Sequence, residues 1–151
     1  MDLARALPAL LPRAIAWATA ESRRALVSGS PLDRDGLDVA RAAGVAAPGE
    51  IRTIVADGLP IPRDPILQAM ARESGLSGPG TTGLTLGYAI FIRAGHRDRR
   101  LLSHECRHVH QYEALGGIGP FLAAYLMQVA TVGYSDAPLE IDARWHEIGH
   151  A

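Results

Sequence analysis

The chain has no lysine and only one cysteine, and no long apolar run escapes interruption by glycine or proline. A single cysteine, Cys106, excludes an intrachain disulfide framework and fits a reducing compartment. All 15 basic residues are arginine, which reads as codon usage rather than as a surface built for anions. The net charge of −1 excludes the electrostatic footprint of a nucleic-acid binder or of a protein held on anionic lipid. One longer uncharged stretch, Ala114 to Ser135, contains Gly116, Gly117, Gly119 and Pro120. That leaves about Phe121 to Val132 for continuous helix, which is too short to span a bilayer. The first apolar run is cut by Pro8, Pro12 and Arg13 and carries Asp2 and Arg5, so it does not follow a secretory signal pattern. These absences lead to the expectation of a cytoplasmic protein with neither nucleic acid nor membrane as partner. Nothing in the sequence specifies an oligomeric state.

What is present is ordinary globular material: 151 residues, 48% hydrophobic and 21% charged, enough for one domain with a real core. Leu3 to Val27 reads as one or two helices, kinked or broken near Pro8 and Pro12. Ser30, Pro31 and Asp33 resemble the capped start of a helix that reaches about Ala43 and stops at Gly44. Glu50 to Ala56 is β-branched and partly alternating, hence a strand. Asp64-Pro65 opens a helix to about Ser74, and Ser77 to Gly83 is loop. Leu84 to Arg93 reads as one strand, with Leu84, Leu86, Tyr88, Ile90 and Ile92 on one face and Gly87 and Ala89 leaving the other nearly bare. That bare face suits either a helix packed on small residues or an edge that pairs with an extended peptide. A helix follows to Gly116-Gly117, another runs from Pro120 to about Val132, and a last one, capped by Ser135 or Asp136, continues through Glu140 to the end.

The chemistry concentrates in His104-Glu105-Cys106-Arg107-His108, a His-Glu-x-x-His pattern with no proline or glycine close by. On a helix, residues four apart project one above the other, so both imidazoles can reach a single zinc ion. Glu105, rotated by about 100° from His104, stands beside the metal, where a carboxylate can take a proton from water. Cys106 falls on roughly the opposite side of the helix and reads as a small buried hydrophobe. A catalytic zinc usually has three protein ligands. Gln111 and Ala114 occupy the positions at which a metzincin continuation would need glycine and histidine, so the third ligand comes from farther along.

Glu140 leads the candidates, because it sits in the first turn of a helix, one helical hairpin after the motif. A second His-Glu-x-x-His, His146 to His150, keeps two alternatives open: it is itself the metal site, or His146 or His150 replaces Glu140. From the strand before the motif, through His104-Glu105-x-x-His108, to Glu140-x-x-Ala143, residues 84 to 147 resemble the gluzincin zinc metallopeptidases, especially their smallest single-domain forms.

The resemblance implies His104, His108 and Glu140 on Zn2+, Glu105 as general base, and the strand as the upper rim of a cleft holding a peptide or protein substrate extended along residues 84–93. It also implies an α+β fold: a mostly helical, minimal zincin-like domain whose small sheet (strands near 50–56 and 84–93) packs on the motif helix. Residues 1–48 would be an N-terminal helical segment and 49–151 the metal-site core of one domain. Many gluzincins carry an acid soon after the ligand Glu to orient a motif histidine. Here Arg144 stands four residues after Glu140, and Asp142 is the nearest acid. Tyr134 and Tyr112 are candidates to stabilise charge in the transition state. Gln111 lies on the His104 face of its helix, His96 at the helix entrance, and His110 well around it. The alternatives to a peptidase are a non-catalytic zinc-binding scaffold or interaction domain, and a latent peptidase whose cleft is covered by the N-terminal segment.

Overall fold

In the computed structural model, which describes residues 2–149, the first helix, α1, runs unbroken from Leu3 to Ser28. Asp2 caps it by accepting a hydrogen bond from the Arg5 N–H. Pro8 and Pro12 lie inside it, so of the two expected alternatives the chain takes the single helix. An interior proline costs about 3 kcal/mol, and burial of Leu7, Leu10, Ala14, Ala18 and Ala25 along one side outweighs that cost. The second helix, α2, spans Arg34–Ala42 and starts later than expected. Asp33, a carboxylate, caps it through the Gly36 N–H. Ser30–Pro31 instead forms a short strand, β1.

A 3-10 turn at Pro48–Glu50 leads to β2, Arg52–Ala56. Asp64 and Pro65 open α3, Pro65–Glu73, as the sequence indicates. The stretch read as one strand over 84–93 is two: β3, Gly83–Leu86, and β4, Ala89–Arg93, paired antiparallel as a hairpin with Leu86 opposite Ala89. Gly87 sits in the turn at φ +66, where a side chain would be strained. The sheet order is β1-β2-β4-β3, with β2 and β4 parallel and the outer pairs antiparallel.

The hairpin reassigns the faces. Leu86, Ala89 and Phe91 point to one side, into a core with α1 and the later helix α5, Ile118–Val132. Ile90 and Ile92 point to the other, onto α2 and the motif helix α4, Arg99–Leu115, where Leu102, Cys106 and Val109 meet them. By the pairing register, Gly83 and Thr85 share this second face. A third cluster joins α1, α3 and α5 through Leu7, Leu10, Leu67, Met70 and Leu126. The last helix, α6, covers Pro138–Trp145. It takes no side-chain cap from Ser135 or Asp136. Gln128 on α5 satisfies the Leu139 N–H instead. The helix ends at Trp145 rather than continuing, and Gly149 adopts φ +90.

The fold is thus α+β, with helices on both faces of a small mixed sheet. Among the described residues, no single helix is long and apolar enough to cross a membrane. The apolar side of α5 (Phe121, Leu122, Tyr125, Leu126 and Val129) is buried within the protein.

Candidate metal centre

Helix α4 is capped at Asp98, whose side chain accepts from the Leu101 N–H, and closed at Gly116 in the left-handed conformation. Between these ends, His104 and His108 stand one turn apart, with ring centroids 4.9 Å apart and planes at 78°. Glu140, in the first turn of α6, reaches both. Its Oε1 lies 3.2 Å from His104 Nε2 and its Oε2 lies 3.0 Å from His108 Nε2. The donor atoms of these three residues all fall within 4.8 Å of one another, close enough to hold one metal ion.

The hydrogen bonds behind the imidazoles decide which nitrogens face inward. Gln111 Nε2 donates to the Leu139 carbonyl and to Asp142 Oδ2, so its oxygen must face His108. That oxygen lies 2.7 Å from His108 Nδ1, which therefore carries the proton. His104 Nδ1 lies 2.8 Å from Glu147 Oε2, an acceptor only, and is likewise protonated. Both neutral rings then turn Nε2 lone pairs toward the Glu140 carboxylate. Acceptor against acceptor at about 3 Å is unfavourable unless a proton or a cation lies between. The donor set thus fits a metal ion, with two Nε2 atoms, one carboxylate and both Nδ1 positions already fixed.

The charges agree. Burial disfavours a charged His104, but the Glu140 hydrogen bond and the Glu105 and Glu140 charges prevail and push its pKa up to about 9. His108 is raised for the same reasons against stronger burial. Burial alone would raise Glu140, yet His104, His108 and Tyr125 hold it well below the usual carboxylate range. Tyr125, on α5, donates its hydroxyl to Glu140 Oε2 at 2.5 Å, and burial with the Glu140 charge lifts its own pKa far above that of a free tyrosine.

Glu105 is buried beside the cluster, its Oε2 4.0 Å from His104 Nε2. Thr85 on β3 donates its hydroxyl to Glu105 Oε1 at 2.9 Å. Gly83 provides the room: a Cβ there would stand 3.0 Å from the Glu105 carboxyl. The β3 face exchanged by the hairpin is what brings both residues to the site.

Two cavities meet at the cluster. One, of about 120 Å³, is mainly apolar and runs inward among Trp17, Leu67, Met70, Leu76 and Leu126. The other is polar and open, bordered by the glycine-rich Gly75–Gly83 segment, His96, Arg100 and Glu147. His104, Glu105 and Tyr134 line both. The open cavity is bordered by residues between 75 and 147, whereas α1 contributes Ala14, Trp17 and Ala18 to the inner wall. The N-terminal helix packs as core and forms part of the inner wall of the site.

Tyr134 flanks the site; burial and the Glu140 and Glu105 charges raise its pKa. Tyr112 is committed elsewhere: its hydroxyl donates to the Thr85 carbonyl at 2.9 Å and its ring stacks on Phe121. His146 turns its Nδ1 to the Asp142 carbonyl at 2.8 Å, away from the cluster, and His150 lies outside the described residues. His110 faces the Gly44 carbonyl at 2.9 Å. Cys106 is fully buried among Ile90, Ile92 and Val109, and burial with the nearby Glu105 charge pushes its thiol up to about 12. Sequence reasoning passed over Tyr125, Thr85, Gly83 and the role of Glu147. Tyr125 had a faint signal, being the one hydroxyl on the apolar side of α5.

No protein-family model matches the chain, and no curated protein or solved structure matches it.

Proposed function

We propose that this chain is a zinc-dependent peptidase that hydrolyses peptide bonds at the His104/His108/Glu140 cluster. The observation that carries the reading is the convergence of two tautomer-fixed Nε2 atoms and one carboxylate, with a second carboxylate, Glu105, beside them at a cleft. Two nitrogens and one oxygen are the protein ligands of many catalytic zinc sites. Zinc bound there supplies Lewis-acid chemistry, polarising a carbonyl and making water a nucleophile near neutral pH.

The chain's own residues perform the rest. Glu105 accepts a proton from the attacking water and delivers it to the leaving nitrogen as the C–N bond breaks, yielding a carboxylate and an amine. The Thr85 hydroxyl fixes one Glu105 oxygen and leaves Oε2 toward His104. Tyr134 donates to the carbonyl oxygen as it gains negative charge. The substrate lies extended along the edge strand β3, whose four residues line the inner cavity. Tyr112 occupies the Thr85 carbonyl and Ser22 the Leu86 carbonyl, so substrate pairing uses the Gly83–Leu84 end of that edge. The inner cavity, about 120 Å³ and apolar, suits one leucine-sized side chain next to the cleaved bond, being smaller than the apolar cavity of about 150 Å³ that holds benzene.

The experiment is cleavage of a quenched peptide library by zinc-loaded, chelator-treated and Glu105→Gln protein. Cleavage in the first alone, at bonds flanked by a large apolar residue, supports the reading. Zinc uptake with no cleavage by any preparation would assign the chain to the scaffold alternative.

A further inference from the structure

We infer that Glu147, from the second His-Glu-x-x-His segment, is a positioning residue for the first: it orients His104 for metal. The inference rests on the metal-site reading above and assigns a role to a stretch which that reading leaves unused.

Three contacts on one stripe of α4 carry it. Glu147 Oε2 accepts from His104 Nδ1 at 2.8 Å. Its other oxygen accepts from Arg100 Nε at 2.7 Å, one turn earlier on the same helix. The next residue docks too: the Ile148 N–H donates to Ser103 Oγ at 2.8 Å, and that hydroxyl, fully buried, donates in turn to the Arg100 carbonyl. The carboxylate is thus held from both sides. Arg100 keeps it charged, and the Ile148–Ser103 bond fixes the backbone beside it.

The acid nearest Glu140 in sequence is engaged elsewhere. Asp142, the nearest acid after Glu140, pairs with Arg107 and receives Gln111, so it supports His108 instead. Arg144, one turn after Glu140, donates to the Ser135 carbonyl. Each histidine therefore has its own support: His108 through Gln111 and Asp142, His104 through Glu147 and Arg100. Such partners fix the ring and its tautomer and raise the basicity of the coordinating nitrogen, and losing one typically weakens metal binding about 10–100-fold.

The test uses the full chain with zinc as the probe. Zinc affinity is read by competition with a chromophoric chelator, and the His104 ring by long-range proton–nitrogen correlation in the zinc-loaded protein. Glu147→Ala is expected to bind zinc about 10–100-fold more weakly and to lose or shift the Nδ1–H signal of His104. Glu147→Gln, which keeps an acceptor in place, should recover part of both. Ser103→Ala removes the Ile148 anchor and the bond to the Arg100 carbonyl but leaves the carboxylate, so its affinity loss should be smaller and the His104 signal should persist. Wild-type affinity and an unchanged His104 signal in Glu147→Ala overturn the inference while leaving the metal site intact. So does an equal loss in Ser103→Ala, which would give the effect to docking of the segment rather than to the carboxylate. A wild-type chain that takes up no zinc overturns the metal reading and this inference together.

Discussion

Two stretches of this chain share one five-residue pattern, yet the fold treats them differently. His104 to His108 lies in the middle of a 17-residue helix, where a four-residue spacing stacks the two rings. The second pattern begins where α6 has already ended: His146 is its C-cap, and Glu147 to Gly149 are turn. Its histidine turns back to the Asp142 carbonyl, while its glutamate crosses to α4. A spacing thus gathers two imidazoles and a further donor only where the backbone stays helical across it and another element arrives. Glu140 reaches the first pattern because the α5–α6 hairpin returns the chain there.

The largest effect should separate the two patterns directly. His104→Ala or His108→Ala is expected to weaken zinc binding beyond the roughly 10–100-fold typical of losing an outer partner, whereas His146→Ala should leave it unchanged; metal analysis after dialysis against a weak chelator reads the difference. Glu105→Gln should keep its zinc but lose cleavage by about 10²–10⁴-fold, the usual contribution of a positioned acid or base. Gly83→Ala sharpens the same point from the sheet. Its Cβ would sit 3.0 Å from the Glu105 carboxyl, and displacing that group should lower kcat/KM by up to about 100-fold without releasing zinc. On stability, zinc at 100 times its Kd should raise the unfolding free energy by about 2.7 kcal/mol, read as a higher Tm that chelator reverses. The smallest effects belong to the tyrosines. Tyr112→Phe should leave turnover unchanged and cost about 1–3 kcal/mol of stability by leaving the buried Thr85 carbonyl without its donor, while Tyr134→Phe should lower kcat with little change in stability.

Local signals were legible where they act locally. Asp64-Pro65 and Gly116 mark the bounds of α3 and α4 because caps depend on one or two residues. The motif helix and the position of Glu140 in a first turn follow from the same kind of evidence. Alternation alone could not reveal the hairpin in 83–93, since Leu84, Leu86, Tyr88, Ile90 and Ile92 keep period two along the sequence while the two-residue turn puts Leu84 and Leu86 on the face of Ala89 and Phe91. That one turn moved Gly83 and Thr85 onto the α4 face and so hid both partners of Glu105 from sequence reasoning. Pro8 and Pro12 left one helix or two open, and burial along α1 decides for one by overriding a local penalty. Glu147 and Tyr125 were out of reach for a simpler reason: their partners lie 43 and 15 residues away, and only the packing of α4, α5 and α6 brings them together.

The most direct test is anomalous diffraction at the zinc edge from crystals of the zinc-loaded chain. The account predicts a single strong peak between His104 Nε2, His108 Nε2 and the Glu140 carboxylate, with Zn–N distances of about 2.0–2.1 Å. No peak there, or one only beside His146, would contradict it.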